Sequence, residues 1–245
     1  MLACGIDIER PERLRRLVAQ NRLPLDIFTD EERRALDAGA DIGTCFTAKE
    51  AMLKALGVGW FNSDIGPHDV ELRTNLDGRP PEMILRGAAR ERMRYRGYTA
   101  IQHDTHHLDD HIVSIVILRG RAAIPVKSRL ISLDRINGNA YELDAQHQVG
   151  IWGKGNTIRF SGRRAGHVTA LDAIHSVLHD LGTVANVPGD IEHDSLGCPR
   201  WSGQKNLNKE RSAHLAFSIS HSRRYACSFA IAAPYHQGGD RGNEF

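Results

Sequence analysis

Several features that mark common classes of protein are scarce or missing in this sequence. The chain has only four cysteines, which lie far apart and form no C-x-x-C motif, so free thiols in a reducing compartment are favoured over disulfides or a zinc site. No apolar run approaches the ~20 residues that cross a bilayer, and residues 1–5 lack the basic and apolar regions of a signal peptide. The formal net charge is only +2, which gives no overall attraction to nucleic acid or to a membrane. We therefore expect a cytoplasmic protein that binds neither nucleic acid nor membrane.

Motifs of the most familiar enzyme classes are missing as well. The sequence contains no G-x-S-x-G of serine hydrolases, no phosphate-binding P-loop and no glycine set of a dinucleotide-binding fold. Its 245 residues are 41% hydrophobic and 25% charged, which is typical of a globular protein with a substantial core. The main candidates for chemistry are three polar segments that lie far apart in the chain: Gly5–Glu9, Phe46–Gly57 and Ser218–Ser222.

Local patterns predict an alternation of short strands and helices. Residues 2–8 are predicted to form a buried strand. Thr29 and Glu32 have the spacing of a capping box, which predicts the start of a helix. A long helix is predicted over residues 44–56, because apolar residues recur there at helical spacing and Gly57 provides a C-terminal stop. The other predicted elements are helices at 11–19 and 88–96, strands at 69–73, 83–85 and 111–118, and a turn at 76–80.

The first polar segment places two acids on one face of a strand. Asp7 and Glu9 alternate with Ile6 and Ile8, and side chains two positions apart on a strand point the same way. Two carboxylates on one face repel each other unless a cation lies between them, and Mg²⁺ prefers oxygen ligands of this kind. The alternative is an exposed strand end with two solvated acids.

The second segment carries Lys49, Glu50 and Lys54 on a helix whose other residues are almost all small or apolar. Glu50 and Lys54 are four positions apart and therefore share one helix face. A surface ion pair would contribute only ~0.3–0.5 kcal/mol, whereas a buried pair needs ligands or further partners. Glu50 is therefore a candidate third metal ligand, and Lys54 is a candidate partner for a phosphate group.

Histidines supply the remaining polar candidates. His221 lies at the beginning of a predicted strand, whose later residues (226–232) are small and apolar, and it is flanked by serines. That setting suits an anionic ligand, although a hydrogen-bonded core histidine would give the same pattern. A second group, from His103 to His111, matches no spacing typical of metal sites, and His106 and His107 would face opposite sides of a strand. We interpret that group as a polar hairpin rather than as a metal site.

The second half of the chain repeats the order of the first half. Thr169–Ala173 is similar to Thr47–Ala51, and Ser228–Ala232 is similar to Ser114–Leu118. The offset between the halves shrinks along the chain, so the repeat requires small deletions. Ile131–Asp134 would then correspond to the opening strand. These matches predict two lobes, at 1–120 and 121–233, followed by a flexible tail at 234–245.

The three polar segments, taken in their order, resemble those of the 4'-phosphopantetheinyl transferase superfamily. The resemblance covers residues 1–118 well and residues 169–232 more loosely. It implies an α+β fold of two pseudo-symmetric lobes, each a small antiparallel sheet packed on a long helix. In short members, the holo-acyl-carrier-protein synthases, subunits form trimers with sites at their interfaces. Long members, the surfactin type, fuse two such units into a pseudodimer, but in them the acidic half comes second. Because the acidic half comes first here, the chain looks like a tandem duplication of the short type, which implies a monomeric pseudodimer.

The resemblance also implies an activity and the residues that perform it. Members move the 4'-phosphopantetheine arm of coenzyme A to a serine of an acyl or peptidyl carrier protein and release 3',5'-ADP. Carriers of fatty-acid, polyketide and peptide synthesis all present such a serine. The implied Mg²⁺ ligands are Asp7, Glu9 and Glu50, and the implied catalytic residues are Asp7, Glu50 and Lys54. Coenzyme A would be bound by Lys49, Lys54, Ser220 and His221. The carrier protein would contact Arg13, Arg15, Arg16 and Arg22.

Each half of the chain has lost a different part of this set. The first half has Thr105–His107 where the second half has Ser218–His221. On the helix, the second half has Asp172 in place of Glu50 and Ser176 in place of Lys54. One complete site can therefore be built across the cleft between the lobes, and we predict a single active site. Two alternatives stay open: a binding module of the same fold that has lost catalysis, and a metal-dependent hydrolase that uses the histidine group.

Overall fold

The structure, a computed structural model, describes residues 1–60, 64–74, 80–108, 110–120, 127–134, 139–143, 149–154, 162–180, 189–194, 198–203, 213–221 and 225–234. The first lobe consists of β1 (Leu2–Glu9), α1 (Pro11–Ala19), α2 (Asp30–Asp37), α3 (Ile42–Ala55), β2 (Val70–Arg73), β3 (Glu82–Leu85), α4 (Gly87–Tyr95), β4 (Ala100–Leu108) and β5 (His111–Arg119). The second lobe consists of β6 (Lys127–Asp134), β7 (Asn139–Leu143), β8 (Val149–Lys154), α5 (Gly162–Asp180), β9 (Ile191–His193), β10 (Pro199–Trp201), β11 (Ala213–His221) and β12 (Tyr225–Pro234). The protein is therefore α+β, as predicted.

Side-chain caps set the starts of α2 and α3. The Thr29 N–H donates to Glu32 Oε2 at 2.8 Å, and the Glu32 N–H donates to Thr29 Oγ1 at 3.2 Å. This reciprocal pair is the predicted capping box, which satisfies N–H groups that a helix start would leave unpaired. Asp41 caps α3 by accepting the N–H of Thr44 at 2.8 Å, so α3 begins two residues earlier than predicted. Gly57 follows the helix with a φ of +72°, a conformation that favours glycine.

A close backbone contact joins β1 to α3. A Cβ atom added to Gly5 would lie 1.9 Å from the carbonyl oxygen of Ala51 and 2.6 Å from the backbone nitrogen of Ala55. Only glycine allows this approach without displacing a backbone. The contact brings Asp7 and Glu9 on β1 towards the helix that carries Glu50 and Lys54.

The two lobes repeat one arrangement of strands around a helix. The sheet order is β1-β5-β4 in the first lobe and β6-β12-β11 in the second, where β7 and β8 extend the sheet beyond β6. Thr47 Oγ1 lies 2.7 Å from Ser114 Oγ. Thr169 Oγ1 lies 2.7 Å from Ser228 Oγ. The same hydrogen bond therefore joins the long helix to the sheet in both lobes.

Strand register identifies equivalent positions in the two lobes. Asp7 lies opposite Ser114, and Ile131 lies opposite Ser228. Since Ser114 and Ser228 make the same hydrogen bond to their helices, Ile131 occupies the position of Asp7 in the second lobe. By the same register Leu133 occupies the position of Glu9. The second lobe therefore carries aliphatic residues where the first carries its acids.

The lobes meet where the free edge of β1 lies against β11. Ser218 Oγ accepts a hydrogen bond from the Ile6 N–H at 3.1 Å, and Ser220 Oγ accepts one from the Ile8 N–H at 3.3 Å. Apolar residues of both lobes form one buried cluster beside these bonds: Cys4, Ile6, Ile8, Val113, Ile115, Tyr225, Cys227, Phe229 and Ile231. Residues about two hundred positions apart therefore share a core, and this core sets the cleft between the lobes.

Some predicted features lie beyond the described part of the chain. Residues 76–79 of the predicted turn, the junction at 121–126 and residues 235–245 of the predicted tail are outside the described residues. The lobe boundaries at 120 and 233 and the flexible tail therefore stay predictions. None of the described helices is both long enough and apolar enough to span a membrane.

Candidate active site

Asp7 and Lys54 form an ion pair at the junction of the two lobes. Lys54 Nζ donates to Asp7 Oδ1 at 2.7 Å and to the carbonyl oxygen of Ile6 at 3.0 Å. From the second lobe, Ser220 Oγ lies 2.8 Å from the same Asp7 oxygen and 3.2 Å from Lys54 Nζ. The side chains of Asp7 and Lys54 are 11% and 29% exposed, so the pair is shielded and yet open to the cleft. The structure thus brings together three of the predicted site residues.

A cavity of about 350 Å³ opens beside this ion pair. Glu50 and Lys54 line it from α3, and Gly57 and Gly59 line it just beyond the helix. His221, at the end of β11, lines it from the second lobe. The cavity is therefore the place where a ligand can touch the acid and the lysine of one lobe and the histidine of the other.

Glu50 is the most perturbed acid of the site. Burial, together with the nearby negative charge of Asp7, raises its pKa to about 7, although Lys54 acts in the opposite direction. Burial lowers the pKa of Lys54, but the carboxyl groups of Asp7 and Glu50 act against burial and help to hold that pKa above its usual value. At neutral pH the site therefore combines a charged lysine with a carboxyl group that can accept or release a proton.

Glu9 is held by groups next to it in sequence. Its carboxylate accepts the Arg10 N–H at 2.8 Å and pairs with Arg13. Burial raises the pKa of Glu9, and the charge of Asp7 contributes in the same direction. Among the residues described, no group of three acidic, histidine or cysteine side chains is arranged to hold a metal ion. The predicted ligands Asp7, Glu9 and Glu50 are therefore not pre-arranged as a metal site.

The donor chemistry nevertheless suits Mg²⁺. This ion is usually held by one or two carboxylates, by water and by substrate phosphates rather than by an all-protein cage. Asp7 raises the pKa of Glu50, which means that the two carboxyl groups are close enough to repel each other when ionised. A divalent cation between them would relieve this repulsion.

Lys49 does not reach the cleft, which corrects its prediction as a coenzyme A ligand. Its side chain is fully buried, and Nζ donates to Glu32 Oε2 and to the carbonyl oxygen of Val70, each at 2.6 Å. Lys49 and Lys54 are five positions apart, which turns them roughly 140° from each other around a helix. One lysine therefore supports the core beneath α2, and only the other faces the second lobe.

The predicted carrier-binding arginines lie on the surface around α1. Leu14 is the buried residue of this helix, whereas Arg13, Arg15, Arg16 and Arg22 are exposed. Arg13 pairs with Glu9, and Arg15 lies 3.1 Å from Asp41. The helix thus presents a basic outer face next to the acidic end of β1.

The histidine group is distributed over several separate contacts. His106 Nε2 lies 3.3 Å from Asp104, and His107 Nε2 lies 3.3 Å from Thr44 Oγ1. His111 stacks on Tyr225 with ring centroids 3.7 Å apart. This arrangement agrees with the interpretation as a polar hairpin, and it favours the cleft over the histidine group as the candidate site.

Sequence reasoning missed two histidines of the second lobe. His167 on α5 and His193 on β9 line the cavity, and their ring centroids are 5.4 Å apart. Cys198 also lines it, with Sγ 3.7 Å from the carbonyl oxygen of Gly57. Nothing in the sequence distinguished His167 from the other histidines.

Comparison with known proteins places the chain in a family. The model of the 4'-phosphopantetheinyl transferase superfamily matches residues 3–116. The holo-[acyl-carrier-protein] synthase of Desulforudis audaxviator is 34% identical over 126 residues, which are 49% of this chain and 94% of that protein. The synthase of Syntrophotalea carbinolica is 31% identical over 47% of this chain and 94% of its own length. A crystal structure of the Helicobacter pylori synthase in complex with coenzyme A is 23% identical, with a TM-score of 0.40 over 47% of this chain and 99% of that chain.

These matches define the class of the protein. The chain belongs to the 4'-phosphopantetheinyl transferase superfamily, and it is an enzyme of the transferase class. The family match lies within the first lobe, since it ends at residue 116. The contribution of the second lobe to the cleft therefore rests on the structure alone.

Proposed function

We propose that the chain transfers the 4'-phosphopantetheine arm of coenzyme A to a serine of an acyl or peptidyl carrier protein. Membership of the superfamily supports the class of reaction. The observation that carries the proposal is that Glu50 and Lys54 of one lobe and His221 of the other line one cavity.

The proposed chemistry assigns a role to each of these side chains. The serine oxygen of the carrier attacks the β-phosphorus of coenzyme A, and the bond from that phosphorus to the 3',5'-ADP oxygen breaks. Glu50, directly or through a water molecule, accepts the serine proton. Lys54 donates to the pyrophosphate, whose negative charge increases during the attack. His221, which is exposed at the end of β11, donates to the nucleotide phosphates.

Asp7 and Glu50 are the residues that we propose to hold Mg²⁺. When bound, the ion would neutralise the pyrophosphate and polarise its oxygen atoms. Glu9 is the third candidate ligand, and it would have to leave Arg13 to take part, because these two side chains are paired. Lys54 would keep its contact with the Ile6 carbonyl oxygen and turn from Asp7 towards the phosphates.

We further propose that the chain works as a monomer with one site. Ile131 and Leu133 stand at the second-lobe positions of Asp7 and Glu9, so the second lobe has no such acid pair on its corresponding strand. In the first lobe, the edge of β1 that faces away from β5 is covered by β11. The corresponding edge of β6 is already paired with β7. That pairing would keep a further copy from docking on β6 in the same way.

Arg13, Arg15, Arg16 and Arg22 are the proposed contact with the carrier protein, in the cytoplasm. Their exposure around α1 suits an acidic partner helix. Contacts of this type mainly accelerate association and weaken as salt screens them. The same arginines should therefore affect the KM for the carrier far more than the KM for coenzyme A.

An intact-mass measurement of a carrier protein tests the proposal. Apo-carrier is incubated with coenzyme A, Mg²⁺ and the wild-type chain, and release of 3',5'-ADP is followed in parallel. We expect the carrier to gain the mass of one phosphopantetheine arm, Glu50→Gln to abolish the gain, and His106→Ala, the matched control, to retain it. Absence of any gain on fatty-acid, polyketide and peptide-synthetase carriers would refute the proposal. Tight binding of coenzyme A without turnover would instead indicate a binding module, and loss of activity in His106→Ala but not in Glu50→Gln would indicate a hydrolase.

A further inference from the structure

Two serines of β11 follow the free edge of β1. Ser218 and Ser220 are 5% and 6% exposed, and their hydroxyl groups accept the N–H groups of Ile6 and Ile8. The opposite edge of β1 pairs with β5, so these two N–H groups would have no strand partner. A buried N–H group without an acceptor is costly. Each serine hydroxyl therefore accepts a hydrogen bond that the carbonyl group of a neighbouring strand would otherwise accept.

Ser220 does more than Ser218, because its hydroxyl group also contacts the ion pair of the site. It donates to Asp7 Oδ1 at 2.8 Å, and it accepts from Lys54 Nζ at 3.2 Å and from the Ile8 N–H at 3.3 Å. A serine hydroxyl has one proton to donate and two lone pairs to accept with. These three contacts use that capacity completely, so no proton is left for a phosphate oxygen.

We propose that Ser220 is a positioning residue and not a ligand of coenzyme A. It acts through Asp7 and Lys54, whose arrangement before coenzyme A binds it sets from the opposite lobe. Asp7 and Lys54 therefore take up their active arrangement only when β11 is packed against β1. The catalytic part of this inference rests on the proposed transfer function.

Ser218 provides a matched control for this role. Ser218→Ala and Ser220→Ala each remove one cap from β1, whereas only Ser220→Ala also removes contacts to the ion pair. The two variants should lower the unfolding temperature by similar amounts. Only Ser220→Ala should lower kcat, by about tenfold or more, the size expected when a hydrogen bond to a charged group is lost. Ser220→Thr, which keeps a hydroxyl group, should recover most of that loss.

The experiment compares the three full-length variants with the wild-type chain by three measurements. These are kcat and KM for coenzyme A, the affinity for 3',5'-ADP by calorimetry, and the NMR resonances of the Asp7 carboxyl carbon and the Lys54 amine nitrogen without ligand. We expect Ser220→Ala to leave KM and 3',5'-ADP affinity within about twofold of wild type. It should also shift both resonances, and Ser218→Ala should shift neither.

Each contrary outcome has a distinct meaning. A weaker affinity for 3',5'-ADP with unchanged kcat would make Ser220 a ligand, and equal loss of kcat in both alanine variants would make it a simple edge cap. Either result overturns the inference. If the wild-type chain transfers nothing, the proposed function fails, and the NMR comparison still decides whether Ser220 holds Asp7 and Lys54.

Discussion

Neutralising Glu50 is expected to stabilise the metal-free protein at high pH, even though it removes a residue of the site. The pKa of Glu50 is raised from an ordinary value of 4.5 to about 7 in the folded protein. Between these two values the folded state keeps a proton that the unfolded state has lost, so the free energy of unfolding falls as the pH rises. The loss is about 3 kcal/mol by pH 8, because each tenfold change in proton affinity is equivalent to ~1.4 kcal/mol. Glu50→Gln has no proton to lose and should escape this destabilisation.

Urea unfolding of both proteins at pH 4.5 and pH 8, with EDTA present, measures this effect. The free energy of unfolding of Glu50→Gln minus that of wild type should increase by about 3 kcal/mol from pH 4.5 to pH 8. Mg²⁺ added at pH 8 should raise the stability of wild type more than that of the variant, because an ion bound only by the folded state stabilises it. An identical pH dependence in both proteins would refute the reasoning, since it would give Glu50 the same proton affinity in the folded and unfolded states.

Three further predictions concern the surroundings of the site. Lys49→Met should cost about 3–5 kcal/mol of unfolding free energy, because Glu32 is left buried without its cation; a loss below about 1 kcal/mol in urea unfolding would contradict the burial of this pair. Gly5→Ala should cost about 1–3 kcal/mol or more, since its Cβ would meet the Ala51 carbonyl oxygen at 1.9 Å; an unchanged unfolding temperature would show that β1 does not approach α3 so closely. Arg16→Glu should raise the KM for the carrier several-fold at low salt and less at high salt, with the KM for coenzyme A unchanged; an equal effect on both substrates would place Arg16 in the coenzyme A site.

Local signals in the sequence predicted much of the first lobe. The capping box of Thr29 and Glu32 depends on residues three positions apart, so its pattern was sufficient to place the start of α2. The alternation around Asp7 likewise predicted β1. Lys49 escaped this reasoning, because its partners are Glu32, seventeen positions away, and a carbonyl oxygen of β2. Helical spacing shows which residues share a face, but it does not show what each face packs against.

The cleft itself was accessible only through the resemblance to a family. The approach of Ser220 to Asp7 joins residues 213 positions apart, and no periodicity of the sequence encodes that contact. The same holds for His167 and His193, which reach the cavity because α5 packs against β11 and β9 packs against α5. The resemblance suggested that Ser220 binds coenzyme A, and the contacts of its hydroxyl group with Asp7, Lys54 and Ile8 are the basis for the different role that we propose.

Mixing two inactive variants tests the central claim most directly, namely that one chain builds one transfer site from both of its lobes. Glu50→Gln removes the base of the first lobe, and His221→Ala removes the phosphate contact of the second lobe. Carrier modification is measured by intact mass for each variant and for their equimolar mixture. We predict that wild type modifies the carrier, that each variant is impaired, and that the mixture is no better than the variants alone. Recovery of modification in the mixture would contradict the claim, because the site would then form between lobes of different chains.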